Sequence, residues 1–133
     1  MKRCPPEVEA VFDTYPEAAR TCLMAARAVI FEAAEAADVG PLRETLKWGQ
    51  PAYLPEAPRT GTTVRMGLDG GAPAVLFHCQ TTLVDQFRSD FPEAFRFSGN
   101  RALVLDEEFD RSALAICVGR ALTYHRDKRR QRA

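Results

Sequence analysis

The sequence predicts an α+β protein in which helices cover one face of an antiparallel sheet. Towards both ends of the chain, apolar residues recur at spacings of three and four, which is the pattern of amphipathic helices. Between these segments apolar and polar residues alternate, and short glycine-containing turns separate the alternating runs, as in β-hairpins. With 133 residues, 46% of them hydrophobic, the chain is long enough to bury one core, and we expect a single domain.

Two helices are predicted near the N-terminus. Pro5 and Pro6 suit the start of a short helix that ends near Thr14, and a long helix follows over residues 17–38. The apolar residues of the long helix share one face, so we expect them to be buried. They are Ala19, Cys22, Leu23, Ala26, Val29, Ile30 and Ala33. The charged residues of this helix are expected to face solvent on the opposite side: Glu17, Arg20, Arg27, Glu32 and Glu35.

A two-turn helix is predicted after Pro41, because Leu42 and Leu46 are four positions apart and would meet on one helical face. Gly49 is expected to end this helix in a left-handed conformation. Pro51 is expected to force the residue before it out of the helical region. The sequence therefore predicts a helix-to-strand bend immediately before Pro51.

Trp48, the only tryptophan of the chain, stands at this predicted bend. A large aromatic side chain at such a junction is expected to be partly buried, with one edge of its ring against Leu23 and Val29 of the long helix. The other edge is expected to border a shallow pocket. We therefore expect Trp48 to report on both the fold and the site.

The alternating runs predict five strands, at residues 52–54, 64–68, 74–79, 95–97 and 102–105. A helix over residues 82–90 separates the third strand from the fourth, and Asp110 is expected to cap the final helix. The predicted order is therefore a long helix, three strands, a helix, two strands and a helix. His78 and Cys79 are adjacent in the third strand and are expected on opposite faces, with Cys79 in the core.

The segment from Lys47 to Tyr53, which reads Lys-Trp-Gly-Gln-Pro-Ala-Tyr after a long amphipathic helix, resembles the YdhG-like family. This is a bacterial family of domains of unknown function and of about this length, and the resemblance covers most of the chain. It implies an α+β fold in which helices cover one face of a five-stranded antiparallel sheet. Some relatives are described as frataxin-like iron chaperones, so the resemblance also implies iron handling as one possible activity.

Charge is balanced over the whole chain but not along it. The chain has 18 basic and 18 acidic residues, yet residues 126–133 hold five basic residues and one acidic residue. We therefore divide the chain into a domain at residues 1–125 and a basic tail at residues 126–133. We expect the tail to favour solubility, and non-specific binding of nucleic acid through it is a less favoured alternative. The four cysteines form no C-x-x-C pair, and no apolar run is long enough to span a membrane, so we expect a cytoplasmic protein with reduced thiols.

No pattern in the chain combines a nucleophile with its base, and no phosphate-binding loop is present. The sequence therefore favours a non-catalytic binding protein over an enzyme, with a small molecule or a peptide held near the bend. Amphipathic aromatic residues beside polar ones suit such a site, and an arginine can recognise a carboxylate or a phosphate. The candidate ligand-binding residues are Lys47, Trp48, Gln50, Tyr53, Arg65 and His78.

A metal site is the main alternative. Asp106, Glu107 and Glu108 precede Asp110, and carboxylate-rich clusters suit hard cations, with iron the metal that the family resemblance implies. The same acidic residues are also favourable at the start of a helix, where Asp110 is the expected cap. Apart from iron, no cofactor is expected. The oligomeric state is left open.

Overall fold

A computed structural model describes residues 3–132 as one antiparallel sheet with helices packed against it. The helices are α1 (Pro6–Phe12), α2 (Glu17–Ala36), α3 (Leu83–Asp90), α4 (Arg111–Leu122) and α5 (Tyr124–Arg132). The strands are β1 (Leu42–Lys47), β2 (Gln50–Pro55), β3 (Val64–Asp69), β4 (Ala72–Leu76), β5 (Arg96–Ser98) and β6 (Ala102–Val104). A short 3-10 turn, Cys79–Thr81, links β4 to α3.

The sheet order is β1-β2-β3-β4-β6-β5, and every neighbouring pair is antiparallel. Alternate residues of the central strands lie in one hydrophobic core with the buried residues of α1, α2, α3 and α4. The α+β class and the antiparallel sheet are confirmed. The expected number of strands is wrong, because the sheet has six strands rather than five.

The additional strand is β1, which occupies the segment predicted as a two-turn helix after Pro41. Leu42 and Leu46 are four residues apart, and residues at that spacing share a face both in a helix and in a strand. The pair therefore fits either type of structure. Glu44 lies between them on the core-facing side, and a charged residue there conceals the alternation that indicates a strand. The paired register of β1 with β2, from Leu42 opposite Pro55 to Lys47 opposite Gln50, leaves no room for a helix.

Glu44 can face the core because Arg27 and Tyr53 satisfy its carboxylate. Arg27 Nε and Nη2 donate to the two carboxylate oxygens at 2.6 and 2.8 Å, and the Tyr53 hydroxyl donates to Oε2 at 2.8 Å. The side chains of Arg27 and Glu44 are 1% and 7% exposed. Phe31 closes the cluster, with its ring 4.9 Å from the Arg27 guanidinium. We call Arg27, Glu44 and Tyr53 the buried polar cluster.

All seven apolar residues expected on the inner face of α2 are buried. The prediction that Arg27 faces solvent is wrong, since its side chain points to the edge of the sheet and pairs with Glu44. The Asp110 cap of α4 is confirmed, because Asp110 Oδ1 accepts a hydrogen bond from the Ala113 amide at 2.9 Å.

The loop of residues 56–63 is fastened to the junction of α4 and α5. The Thr60 carbonyl accepts hydrogen bonds from the amides of His125 and Arg126, each at 3.0 Å. A Cβ atom on Gly61 would lie 2.2 Å from the Leu122 carbonyl oxygen, so this close approach requires glycine. Arg129, from the segment predicted as a tail, donates to the Arg59 carbonyl, so part of that segment is docked on the domain.

The four cysteines are free thiols. Cys22 is buried as expected and Cys117 is buried in α4, but the prediction that Cys79 lies in the core is wrong. Strand β4 ends at Leu76, and Cys79 lies exposed in the 3-10 turn, where the two-residue alternation no longer applies. Within residues 3–132, no helix has the length and apolar character that crossing a bilayer requires.

Breaking the buried polar cluster should be strongly destabilising. Glu44→Leu deprives the buried Arg27 guanidinium of its carboxylate, and we expect a loss of about 3 kcal/mol or more in the free energy of unfolding, measured by urea denaturation. The double variant Arg27→Met/Glu44→Leu should recover most of that loss. Arg20→Met is the control, because its contact with Asp13 is long and exposed, and it should cost at most about 1 kcal/mol. If the losses caused by Arg27→Met and Glu44→Leu simply added in the double variant, the two residues would not be energetically coupled and the prediction would be wrong.

Stability should fall in alkaline solution. Burial raises the pKa of the Cys22 thiol to about 11 and that of Cys117 to about 12. Burial, followed by the Glu44 charge, also raises the pKa of Tyr53. Because each group keeps its proton longer in the folded state, its contribution is complete below its ordinary pKa of 9 or 10 and is lost as the pH rises through the folded value.

The urea midpoint should therefore decline as the pH is raised in steps above 9. Near neutral pH these groups stay protonated in both states, so they should not change the midpoint there. Cys117→Ala should lower stability at neutral pH but reduce the alkaline decline. An unchanged decline in this variant would show that the Cys117 thiol is not responsible.

Candidate functional site

Trp48 lies at the tip of the β1–β2 hairpin rather than at a helix end. Trp48 and Gly49 form a two-residue turn closed by the Lys47–Gln50 pair, with φ values of +57° and +72°. Positive φ at both central residues is the geometry of a type I′ hairpin turn. The Trp48 side chain is 88% exposed, so the prediction of a partly buried ring against Leu23 and Val29 is wrong. The hairpin carries the ring away from the core instead.

The structure divides the other candidate ligand-binding residues among three places. Tyr53 is fully buried in the polar cluster, so its side chain is not available to a ligand. His78 is exposed at the start of the 3-10 turn, where its Nδ1 accepts a hydrogen bond from the Gln80 amide at 3.2 Å. Lys47, Gln50 and Arg65 lie on the face of the sheet that is turned away from the helices.

We call that surface the outer face. Its residues are identified by strand register: Tyr53 and Val64 are opposite each other in the core, so Ala52 and its partner Arg65 point to the other side. By the same alternation, every second residue of each strand points to the outer face. These include Arg43, Thr45 and Lys47 in β1, Gln50 and Leu54 in β2, Ala74 and Leu76 in β4, and Arg96, Ser98, Ala102 and Val104 in β5 and β6.

A small pocket of about 110 Å³ lies at the centre of the outer face, and we call it the arginine pocket. Arg65 and Arg101 line it together with Gln50, Ser98 and Asp69. Arg65 Nη1 donates to Gln50 Oε1 at 2.7 Å, which fixes the direction of the guanidinium. Burial lowers the pKa of Arg65, and the neighbouring positive charge of Arg101 lowers it further. The two arginines thus form a like-charge pair on a partly desolvated surface.

A larger depression of about 430 Å³ lies beside it, between the β1–β2 hairpin and residues 56–61, and we call it the hairpin cleft. Arg43, Lys47 and Arg59 bring three positive charges to its lining, and Glu56 brings one negative charge. The remaining lining is mostly small or apolar, including Ala52, Leu54, Pro55, Ala57 and Pro58.

The arginine pocket and the hairpin cleft adjoin. Ala52 lines the cleft and is directly opposite Arg65, which lines the pocket, and Lys47 of the cleft is opposite Gln50 of the pocket. Opposite side chains on neighbouring antiparallel strands are about 5 Å apart, so one small molecule can contact both depressions. Within residues 3–132, no ion pair within 4.0 Å involves any of the five cations of this surface: Arg43, Lys47, Arg59, Arg65 and Arg101.

The acidic residues proposed for a metal lie between β6 and α4. Asp106 Oδ1 accepts a hydrogen bond from the Glu108 amide at 3.0 Å, and Asp110 caps α4. All four carboxylate residues of this segment are exposed. In the part of the chain that the structure describes, no group of three histidine, cysteine or acidic residues is arranged to hold a metal ion. The prediction of a site at Asp106, Glu107 and Glu108 gains no support from this geometry.

Two cations of the hairpin cleft were absent from the sequence-based site, namely Arg43 and Arg59. Arg43 was assigned to a helix, where it would share a helical face with Lys47 but would not lie on the sheet surface that Gln50 and Arg65 occupy. In a strand the two are four residues apart on one side, with Thr45 between them. For Arg59 the sequence carries no comparable signal, because its position depends on how residues 56–63 fold back along β2 and bind the α4–α5 junction.

Comparison with family models, curated proteins and solved structures finds no match to this chain. The resemblance to the YdhG-like family therefore stays a prediction from the sequence.

Because Trp48 is exposed and has a positive φ, the effect of replacing it on stability should depend on how well the new residue tolerates that backbone conformation. Trp48→Asn should raise the free energy of unfolding by about 0.5 kcal/mol, since asparagine tolerates the left-handed conformation better than tryptophan. Trp48→Val is the matched control and should lower it by about 1 kcal/mol, because a β-branched residue is strained there. Urea denaturation followed by circular dichroism measures both. A loss of about 2 kcal/mol or more in Trp48→Asn would mean that the indole is packed.

Proposed function

We propose that the protein is a non-catalytic binding protein for a small anionic molecule held on the outer face of the sheet. The observation that supports this proposal most directly is the set of five cations around two adjoining depressions, with Glu56 and Asp69 as the acidic residues among them. Holding like charges together without counter-ions costs free energy, and an anionic ligand would offset that cost.

The chemistry of the arginine pocket suits a carboxylate or phosphate group. A guanidinium offers paired N–H donors in the geometry that the oxygens of such groups accept, and Arg65 is held in place by Gln50. The pocket is too small for a whole metabolite, whereas the hairpin cleft falls within the size range of small-molecule sites. We therefore assign the charged group of the ligand to the pocket and its remaining body to the cleft.

Arg43, Lys47 and Arg59 would hold a second anionic group of this ligand. A molecule with two negative groups would contact cations in both depressions, whereas a monoanion would use only one set.

The alternative of iron handling has no comparable support, since the described residues offer no three-ligand group. A basic surface also attracts nucleic acid through its phosphates, so the test must separate the two classes.

Isothermal titration calorimetry with pyrophosphate, citrate and inorganic phosphate tests this proposal. We expect pyrophosphate and citrate, which carry several negative groups, to bind more tightly than inorganic phosphate. Arg65→Gln/Arg101→Gln should weaken binding at least tenfold, which corresponds to about 1.4 kcal/mol. Arg20→Gln is the control, because it removes a half-exposed arginine of α2 without touching the outer face, and it should bind as the unchanged protein does.

Absence of binding to all three probes at low salt would overturn the proposal, as would equal weakening in the Arg20→Gln control. A fluorescently labelled single-stranded oligonucleotide provides the comparison with nucleic acid. If the oligonucleotide bound while the small anions neither bound nor competed with it, the ligand class would be nucleic acid and the proposal would be wrong.

A further inference from the structure

A groove of about 920 Å³ runs along the outside of α2 and continues to Leu42 at the start of β1. Its floor is apolar, with contributions from Phe31 and Leu42, and three acidic residues line it: Glu32, Glu35 and Asp38. All three are exposed, and among residues 3–132 no ion pair within 4.0 Å involves them. An apolar floor with an acidic rim suits a basic amphipathic helix.

The chain itself contains a strongly basic helix, α5. Its residues Lys128, Arg129 and Arg130 are exposed, and in the described part of the chain none of them pairs with a carboxylate. Lys128 Nζ lies 4.8 Å from the centre of the Tyr124 ring, so one side of α5 combines positive charge with aromatic surface. The positive charge of α5 is therefore complementary to the negative charge of the groove.

Within one copy α5 touches one end of the groove, but none of its described residues lines the groove. Arg126 Nη1 donates to the carbonyls of Ala37 and Asp38 at 3.0 and 3.4 Å, so α5 passes the end of α2 where the groove ends. The groove extends along α2 from Ala28 to the helix end at Ala36, about 12 Å at the helical rise, and the nine residues of α5 span about 13 Å. The helix and the groove thus match in length as well as in charge.

We propose that the α2 groove is the docking surface for α5 of a second copy of this chain, which makes the protein a two-fold symmetric dimer. Because helix and groove adjoin at residues 37–40, a symmetry axis near this turn allows each copy to place its α5 in the groove of the other. Such an interface is isologous, so it closes after two copies instead of forming a filament. It leaves the outer face free, and the inference does not depend on the proposed function.

Sedimentation equilibrium of the full chain tests the dimer directly. At about 0.1 M salt, where charges are screened beyond about 10 Å, we expect twice the 14.8 kDa mass of one chain. At about 1 M salt the screening length falls to about 3 Å, and the dimer should be weakened. A protein that stays monomeric into the millimolar concentration range at the lower salt would overturn the proposal.

Charge reversal on either surface identifies the interface. Glu32→Lys/Glu35→Lys makes the groove basic and should give a monomer, since both partner surfaces are then positive. Lys128→Glu/Arg130→Glu makes α5 acidic and should also give a monomer. Arg126 and Arg129 are left unchanged because they bind the domain of their own copy. Circular dichroism and thermal melting of each variant establish that it is folded.

Mixing the two charge-reversed variants is the decisive measurement. In the mixed dimer a basic α5 meets an acidic groove and an acidic α5 meets a basic groove, so both contacts are attractive again. We expect an equimolar mixture to recover the dimer mass that neither variant shows alone. Glu7→Lys/Glu93→Lys, which reverses two exposed charges elsewhere, is the control and should dimerise normally. Dimers that persist in the reversed variants, or a mixture that stays monomeric, would show that the groove and α5 are not the interface.

Discussion

The ion pair between Arg27 and Glu44 is the contact on which the position of β1 depends. It joins the middle of α2 to the edge strand of the sheet, and the Tyr53 hydroxyl extends it to β2. A buried charge pair of this kind adds less to stability than its short distances imply, because both groups lose their hydration. We infer that its main effect is specificity. A strand that slipped by one residue would place Arg43 or Thr45 against Arg27 and leave a buried guanidinium without its carboxylate.

The register that this pair fixes also determines the chemistry of the outer face. Because side chains alternate along a strand, holding Glu44 inward places Arg43 and Lys47 outward. In β2 and β3 the same alternation places Tyr53 in the core and Arg65 on the outer face. The missing side chain of Gly67 leaves room for Gln50 to lie across the sheet towards Arg65, because a Cβ atom on Gly67 would lie 2.6 Å from Gln50 Nε2. The buried contact and the surface charge are thus two results of one register.

The sequence predicted the class of fold and the buried side of α2 because those features follow from periodicity over many residues. It misassigned β1 because the strand is six residues long and its central inward residue is Glu44, whose partners come from elsewhere in the chain. No local rule shows that a glutamate will be buried opposite an arginine 17 positions away. Trp48 was misplaced for the same reason, since the helix-to-strand bend was inferred from the misassigned segment. Lys47, Gln50 and Arg65 were selected for their chemistry, and the register brings them to one face.

A net charge of zero describes this molecule poorly. The outer face is mainly basic, whereas the groove along α2 is acidic, and the sums cancel only over the whole chain. At physiological ionic strength charges are screened beyond about 8 Å, so surfaces on different sides of a domain act almost independently. Each surface therefore selects partners by its own sign: the outer face attracts anions, and the groove attracts cations. Among the described residues, the exposed cations of α5 form no ion pair with the carboxylates of the groove in the same copy, so both surfaces keep their charge for contacts between molecules.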